Sequence, residues 1–274
     1  MTDRRAMRGQ RRPLPIFRRW LRDGWRGQLG WSLGLAAAAF LYLPLYPAMQ
    51  SPELSSLLDS LPPELVRTIG YQDIATGAGY TQATFYGLIG FVLITIAGIG
   101  WGAAVTGTAE ESGALELTLA HGVGRVQYAL ESALALLARL LVLGLVAFAL
   151  VWAMNGPGEL DLDPGNLLAV TTAWMGLGLF SASAAFAAGA ATGRRAPALG
   201  AGAGVAVVGY VLQAVANNSE DLDGLRLFSP YAWAFHQHPL ASGWDLAGLA
   251  ALWGGSAVLL ALATLALARR DILG

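Results

Sequence analysis

Residues 108–125 read TAEESGALELTLAHGVGR, and this polar stretch lies between two long apolar runs, at Ala83–Gly107 and Leu134–Met154. Each run has the length of about 20 residues that a helix needs to cross the ~30 Å hydrocarbon core of a bilayer. The polar stretch must therefore face water at one membrane surface. A short acidic segment held between two membrane spans is the part of this chain best placed to contact another molecule.

The composition of the whole chain indicates a membrane protein. Of the 274 residues, 55% are apolar and 13% are charged, whereas globular proteins carry about 25% charged residues. We therefore predict an all-α polytopic membrane protein with six transmembrane helices. The six apolar runs are Leu29–Met49, Ala83–Gly107, Leu134–Met154, Leu167–Ala191, Ala198–Ala216 and Leu246–Ala268.

The runs divide the chain into two predicted parts. Residues 1–28 form a basic tail with an amphipathic elbow helix, and residues 29–274 form the six-helix membrane domain. Within that domain we expect one polar connecting segment and three loops at the opposite surface. The connecting segment is 108–127, and the outer loops are 50–82, 155–166 and 217–245.

Arginines set the predicted orientation of the spans. The first 28 residues hold nine arginines, and Arg125, Arg194–Arg195 and Arg269–Arg270 fall on the same side when six spans are drawn. Basic loops favour the cytoplasmic side, so we expect a multi-pass protein of the cell membrane with both termini in the cytoplasm. The first apolar run is too long, and the basic region before it too extended, for a signal peptide.

Residues 13–27, PLPIFRRWLRDGWRG, combine aromatic and basic residues at helical spacing. Phe17, Trp20, Leu21 and Trp25 occupy one face and arginines fill the other, which predicts an amphipathic helix in the headgroup layer. The tryptophans on one face favour an elbow helix that leads into the first span. A basic anchor alone would also explain the arginines.

The first outer loop also carries a helical pattern. Leu54, Leu57, Leu58 and Leu61 form a stripe that begins after Ser51 and Pro52. This spacing predicts a short helix on the outer surface.

Several kinds of chemistry are excluded by residue types that the chain lacks. The sequence contains no cysteine and no lysine, so it has no thiolate metal site and no lysine for a Walker-type phosphate loop. The chain therefore cannot hydrolyse ATP by the Walker-loop route. His236, His238 and Asp245 are weak metal candidates, because two histidines at this spacing with no third ligand more often lie among aromatic residues at an interface.

Ionisable residues are nearly absent from the predicted spans. Glu131 and Arg139, near the start of the third span, either bracket a vestibule or lie at the membrane surface with Arg139 snorkelling. Ion-coupled carriers keep an ionisable group near the middle of the bilayer. The sequence therefore favours a source of energy outside the membrane.

The polar stretch itself predicts a short helix. Thr108 and Glu111 have capping-box spacing, so we expect a helix over Glu110–His121 that ends at Gly122. Leu115 and Leu119 would form an apolar ridge suited to a groove on a partner protein. An ordinary capped connector is the simpler alternative.

Residues Glu110–Leu119, EESGALELTL, followed by Gly122–Arg125, GVGR, resemble the acidic E-x-G-T-L-E-L-L-L-x-x-P-V-S-R stretch of type-2 ATP-binding cassette (ABC) exporter permeases. The layout is similar too, with an elbow helix, six spans, a broken outer loop before the last span and a C-terminal Arg-Arg-Asp. Two positions differ from the pattern: Ala114 replaces threonine, and Gly122 stands where proline is common.

The resemblance implies a transport subunit that is not itself an enzyme and binds no cofactor. ATP and Mg²⁺ would bind to a separate cytoplasmic ATPase present in two copies, and a second permease chain, identical or similar, would complete the pathway within the bilayer; no nucleic-acid partner is implied. The residues it implies for ATPase contact are Glu110, Glu111, Gly113, Leu115, Glu116, Leu117 and Arg125.

The family's substrates include drugs, antibiotics, lipids, peptides and sodium, and we favour a hydrophobic drug-like compound. Polar and aromatic residues within spans are candidates for its path, although helix packing explains most of them; they are Tyr42, Phe91, Thr95 and Gln213. An intramembrane lipid-modifying enzyme built on the two histidines is one alternative. An assembly subunit without a pathway of its own is another.

Overall fold

The computed structural model describes residues 13–49, 76–218 and 220–270, which contain no β-strand. The predicted stripe at Leu54–Leu61 lies outside the described residues. Six helices are long and apolar enough to cross a membrane, which confirms the predicted all-α fold. In chain order, these six spans are Trp25–Ala48, Gly77–Glu111, Arg125–Asn155, Pro164–Thr192, Arg195–Ala216 and Leu246–Arg269.

Side chains at the helix ends explain where several spans begin. The Asp163 carboxylate accepts a hydrogen bond from the backbone N–H of Asn166 at 2.9 Å, and Pro164 occupies the first helical position of the fourth span. Asp245 caps the sixth span in the same way, with contacts of 3.1 and 3.0 Å to backbone N–H groups. Such caps satisfy N–H groups that have no partner inside a helix.

The fourth span is the centre of the bundle. In its most apolar stretch 78% of residues are buried inside the protein, against 22% in the fifth and sixth spans. Small residues on this span and on the second span let the two helices approach closely. A methyl group added at Gly102 would lie 2.3 Å from the Ala182 carbonyl oxygen, and one at Gly178 would lie 2.6 Å from Ile94.

Wide π-helical turns interrupt the second and sixth spans. They occupy Gln82–Gly90 and Ala104–Thr108 in the second span and Ala250–Gly254 in the sixth. Such turns are rare and leave backbone carbonyls available to other partners. The Tyr231 hydroxyl, for example, donates to the Gly87 carbonyl at 2.8 Å.

Short helices complete the two ends of the bundle. The N-terminal helix covers Pro15–Asp23, and the connector helix covers Ala114–Ala120. At the opposite end the chain between the fifth and sixth spans is broken into a 3₁₀ stretch, Glu220–Phe228, and two helical turns, Pro230–Phe235 and Pro239–Ser242.

Candidate functional site

The polar stretch after the second span folds differently from its predicted capping box. Thr108 has helical dihedral angles, φ −68° and ψ −39°, so the second span continues through it to Glu111. The break comes at Gly113, whose φ of +71° is left-handed and favours glycine. The connector helix then starts at Ala114. The predicted capping box and start at Glu110 are therefore wrong, while the helix does end just before Gly122.

The connector helix turns its predicted apolar ridge inward. Leu115 is 1% exposed and Leu119 is partly buried against the core. The exposed apolar side chain is instead Leu117, with 64% of its surface accessible. Helical geometry explains why Leu115 is buried while Leu117 is exposed, because residues two apart lie on opposite sides of a helix.

Three other predicted contact residues have partners within the chain. The Glu110 carboxylate forms an ion pair with Arg270. Glu111 accepts a hydrogen bond from the backbone N–H of Arg195 at 2.9 Å, and Arg125 donates to the Arg270 carbonyl at 2.6 Å. Together these bonds join the second, third, fifth and sixth spans at the base of the connector helix. Gly113 and Glu116 are partly exposed beside Leu117.

The N-terminal helix is held at both of its ends by the third span. It has no capping side chain of its own, and the Glu131 carboxylate accepts hydrogen bonds from the backbone N–H groups of Ile16 at 2.8 Å and Phe17 at 3.1 Å. Near the other end, Arg139 donates to the Trp20 carbonyl at 2.7 Å. A negative group at the helix N-terminus and a positive group at its C-terminus both stabilise the helix dipole.

Glu131 and Arg139 are 5% and 7% exposed. Their side chains therefore bracket the N-terminal helix instead of facing an open vestibule.

The N-terminal helix is shorter than its sequence pattern predicts. It ends at Asp23, and Trp25 is already the first residue of the first span, 53% exposed. At Gly24 between them, an added methyl carbon would lie 1.0 Å from an Arg139 guanidinium nitrogen. Phe17, Trp20 and Leu21 are partly exposed, and the one buried residue of this helix is Ile16.

A cavity of about 300 Å³ separates the N-terminal helix from the connector helix. Its walls come from four elements: Ile16 and Trp20 of the N-terminal helix, Thr108 at the end of the second span, Ala114 and Thr118 of the connector helix, and Tyr128 of the third span. The lining is mostly apolar. The cavity thus lies directly beside the segment that the sequence marks as a contact surface.

The opposite end of the bundle holds the predicted histidines and a cavity of about 640 Å³ lined by His236, Arg226, Asp223 and Asp245. Arg226 forms an ion pair with Asp223, and its guanidinium lies 3.4 Å from a ring nitrogen of His236. Burial, followed by the nearby Arg226 charge, lowers the pKa of His236 below its ordinary value.

A three-residue metal cluster is not formed within the described ranges. Asp245 serves as the cap of the sixth span.

The four residues predicted to line a substrate path lie in different surroundings. Phe91 stacks on Tyr210 with ring centroids 6.1 Å apart and meets Tyr231 edge-on at 5.1 Å. Thr95 donates back to the Phe91 carbonyl. The Gln213 amide donates to Asn217 at 3.0 Å, whereas Tyr42, near the end of the first span, accepts a hydrogen bond from Tyr80 through its carbonyl.

One residue that organises the end of the bundle opposite the connector helix was not identified from the sequence. Gln82 is buried, donates to the Phe235 carbonyl at 3.2 Å and accepts from the Leu240 N–H at 3.1 Å. It thereby fastens the second span to both helical turns before the sixth span. A lone glutamine near the start of an apolar run is the only available sequence signal, since its partners are more than 150 positions away.

The comparison with protein families gives one result for nearly the whole chain. A family model described as "ABC-2 family transporter protein" matches residues 14–272, and the chain belongs to this family. A comparison with curated proteins found no match. The chain is therefore a membrane subunit of an ABC transporter, a class of subunit that works in the bilayer with an ABC ATPase and carries out transport rather than catalysis.

Proposed function

We propose that this ABC-2 family permease is the membrane subunit of an exporter that moves a hydrophobic, drug-like compound out of the cell. Two copies of a cytoplasmic ATPase supply the energy, and two permease chains, identical or similar, form the pathway. ATP and Mg²⁺ bind to the ATPase subunits. Closure of the ATPases around ATP shifts the paired permeases between two conformations, because it favours one of them.

The observation that carries this proposal is the attachment of the connector helix. Its exposed side presents Leu117 beside the partly exposed Glu116, while its buried side inserts Leu115 into the membrane domain. The ion pair between Glu110 and Arg270 then links its base to the sixth span. A force applied to the connector helix would reach several spans through packed and charged contacts.

The charge distribution supports a cytoplasmic position for the connector end. Arg125, Arg195 and Arg270 meet there, and the N-terminal helix adds three exposed arginines at Arg18, Arg19 and Arg22. Arginine-rich ends face the cytoplasm in membrane proteins. We therefore place both chain termini in the cytoplasm and the protein in the plasma membrane.

The interior supports an apolar cargo and an external source of energy. The buried charges Glu131 and Arg139 are engaged with the N-terminal helix, which leaves them poorly suited to carry protons. Phe91, Tyr210 and Tyr231 form a continuous aromatic cluster. An aromatic cluster of this kind is a surface on which a flat, hydrophobic compound packs well.

Co-purification from the native host tests the contact with the ATPase. We expect Leu117→Arg and Glu116→Arg to lower the recovery of the ATPase about tenfold or more, because a charge that is buried or reversed at the centre of an interface weakens binding strongly. Leu227→Arg is the matched control, since Leu227 is 74% exposed at the opposite end. Equal recovery from Leu117→Arg and the control would refute the contact.

Transport itself is measured in inverted membrane vesicles that contain both subunits. Addition of ATP should drive a fluorescent hydrophobic compound into the vesicles, and Leu117→Arg should abolish this uptake. Expulsion of the compound on ATP addition would instead indicate import and overturn the proposed direction.

A further inference from the structure

A narrow apolar crevice lies where the N-terminal helix meets the first and third spans. It has a volume of about 240 Å³ and is lined by Leu21, Trp25, Gln28, Leu29, Arg139 and Val142. Trp25, Leu29 and Val142 are each between 43% and 53% exposed. Because their exposed surface is apolar and belongs to membrane spans, the crevice opens toward lipid.

Arg139 is a buried cation at the inner wall of this crevice. Its side chain is held by the Trp20 carbonyl at 2.7 Å and by the face of Trp101, 5.0 Å from the ring centroid. Across residues 13–49, 76–218 and 220–270, no carboxylate oxygen lies within 4.0 Å of its nitrogens. A buried arginine in a membrane protein ordinarily has an anionic partner, so this charge is incompletely compensated.

Arg139 lies level with the start of the first span. The first span begins at Trp25, and its Gln28 side chain donates to the Arg139 carbonyl at 3.3 Å. The third span starts at Arg125, so about 20 Å of helix precedes Arg139 at 1.5 Å per residue. Because Gln28 directly precedes the apolar run that begins at Leu29, we expect Arg139 to lie at the level of the lipid phosphates.

Further positive charge surrounds the mouth of the crevice. Arg22 and Arg26 are exposed and directly follow the lining residues Leu21 and Trp25. The Arg26 guanidinium packs over the Trp25 ring at 5.6 Å. Asp23 is the acidic residue of this helix, and its carboxylate already contacts Arg19 and Arg22 at 3.5 and 3.4 Å.

We propose that this crevice binds one anionic phospholipid, with an acyl chain along Leu29 and Val142 and its phosphate within reach of Arg139. Arginine binds phosphate oxygens through charge-assisted hydrogen bonds, and the apolar walls accept a hydrocarbon chain. The bound lipid would complete the packing between the N-terminal helix and the first span. This site is separate from the ATPase contact and from the aromatic cluster in the interior.

Native mass spectrometry of the full chain in detergent micelles, with phosphatidylglycerol or phosphatidylcholine added, tests the site. We expect one retained phosphatidylglycerol per chain and about a tenfold preference over phosphatidylcholine, the effect of one charge-assisted contact. Arg139→Gln should abolish the preference. Arg194→Gln is the control, because Arg194 is exposed and does not line the crevice.

A second variant keeps the test valid if Arg139→Gln loosens the N-terminal helix. Val142→Trp fills the crevice without removing a charge and should reduce the retained phosphatidylglycerol about tenfold, an effect that loss of the acyl-chain contact would produce. Equal retention of both lipids by the natural chain would overturn the proposal, as would a preference that survives both substitutions. Displacement of the lipid by millimolar glycerol phosphate would identify a soluble anion as the occupant and also overturn it.

Discussion

The two ends of the helix bundle are held together by different kinds of contact. At the connector end the contacts involve charge: Glu110 pairs with Arg270, and Glu131 caps the N-terminal helix. At the opposite end, apart from the Arg226–Asp223 ion pair and the Asp245 cap, neutral groups bond to backbone. Gln82 does so with Phe235 and Leu240, and Ser229 with the Gly209 carbonyl. The second span runs between these two ends and belongs to both.

The difference separates an adjustable end from a fixed one. Charged contacts near water weaken with salt and respond to the charges of a docked partner. Buried neutral hydrogen bonds are insensitive to both, and their loss leaves unpaired polar groups inside the protein. The connector end is therefore built to change its contacts, whereas the opposite end is built to keep them.

The largest expected effect is at the fixed end. Gln82→Leu leaves the Leu240 N–H without its partner and removes one of the two donors to the Phe235 carbonyl, which also accepts from the His238 N–H. The free energy of unfolding should fall by about 2 kcal/mol. The loss should be the same at low and high salt. Thermal unfolding in detergent measures it, with Gln237→Leu as the control because Gln237 is exposed. A loss of stability that depends on salt would show that the two ends of the bundle do not differ in the way proposed.

A smaller effect is expected at the adjustable end. Glu110→Gln removes one charge of a partly buried pair and should cost about 1 kcal/mol at low salt, less at high salt. A cycle with Arg270→Gln and the double variant isolates the pair from its surroundings. Arg269→Gln is the control, since Arg269 is exposed. A coupling energy that does not change with salt would show that this contact resembles those at Gln82.

The smallest effect concerns His236, whose pKa the fold lowers. Burial, the Arg226 charge and His238 lower the pKa of His236, while Asp223 and Asp245 oppose them. The folded protein therefore resists a proton that the unfolded chain accepts, and stability should fall as pH drops below about 6.5 toward the lowered pKa. The difference in melting temperature between the natural chain and His236→Asn should change across this pH interval. A difference that stays constant with pH would contradict the prediction.

The spans were predictable because their signal is local. A helix that crosses lipid must bond its own backbone and present apolar side chains over about 20 consecutive residues, and each of the six predicted runs lies almost entirely within an observed span. The spans extend further than predicted at several ends. The third begins at Arg125, nine residues before its apolar run, because that part packs on the N-terminal helix and does not need to be apolar.

The contacts around the candidate site were much less predictable. Thr108 and Glu111 have the spacing of a capping box, but the second span continues through both because its helix is extended by a π-helical turn. Leu115 and Leu117 are equally apolar in sequence, and only the tertiary structure buries one and exposes the other. The neighbouring residues in the sequence therefore determine neither the end of the second span nor which of the two leucines is buried.

The cap supplied by Glu131 has a consequence for the order in which the protein is made. Glu131 follows Ile16 by 115 residues, and a ribosome adds about 5–20 residues per second. The start of the N-terminal helix thus waits on the order of ten seconds for its carboxylate. During that interval the backbone N–H groups of Ile16 and Phe17 lack the Glu131 carboxylate as an acceptor. The N-terminal helix is thus completed only after the third span has been synthesised.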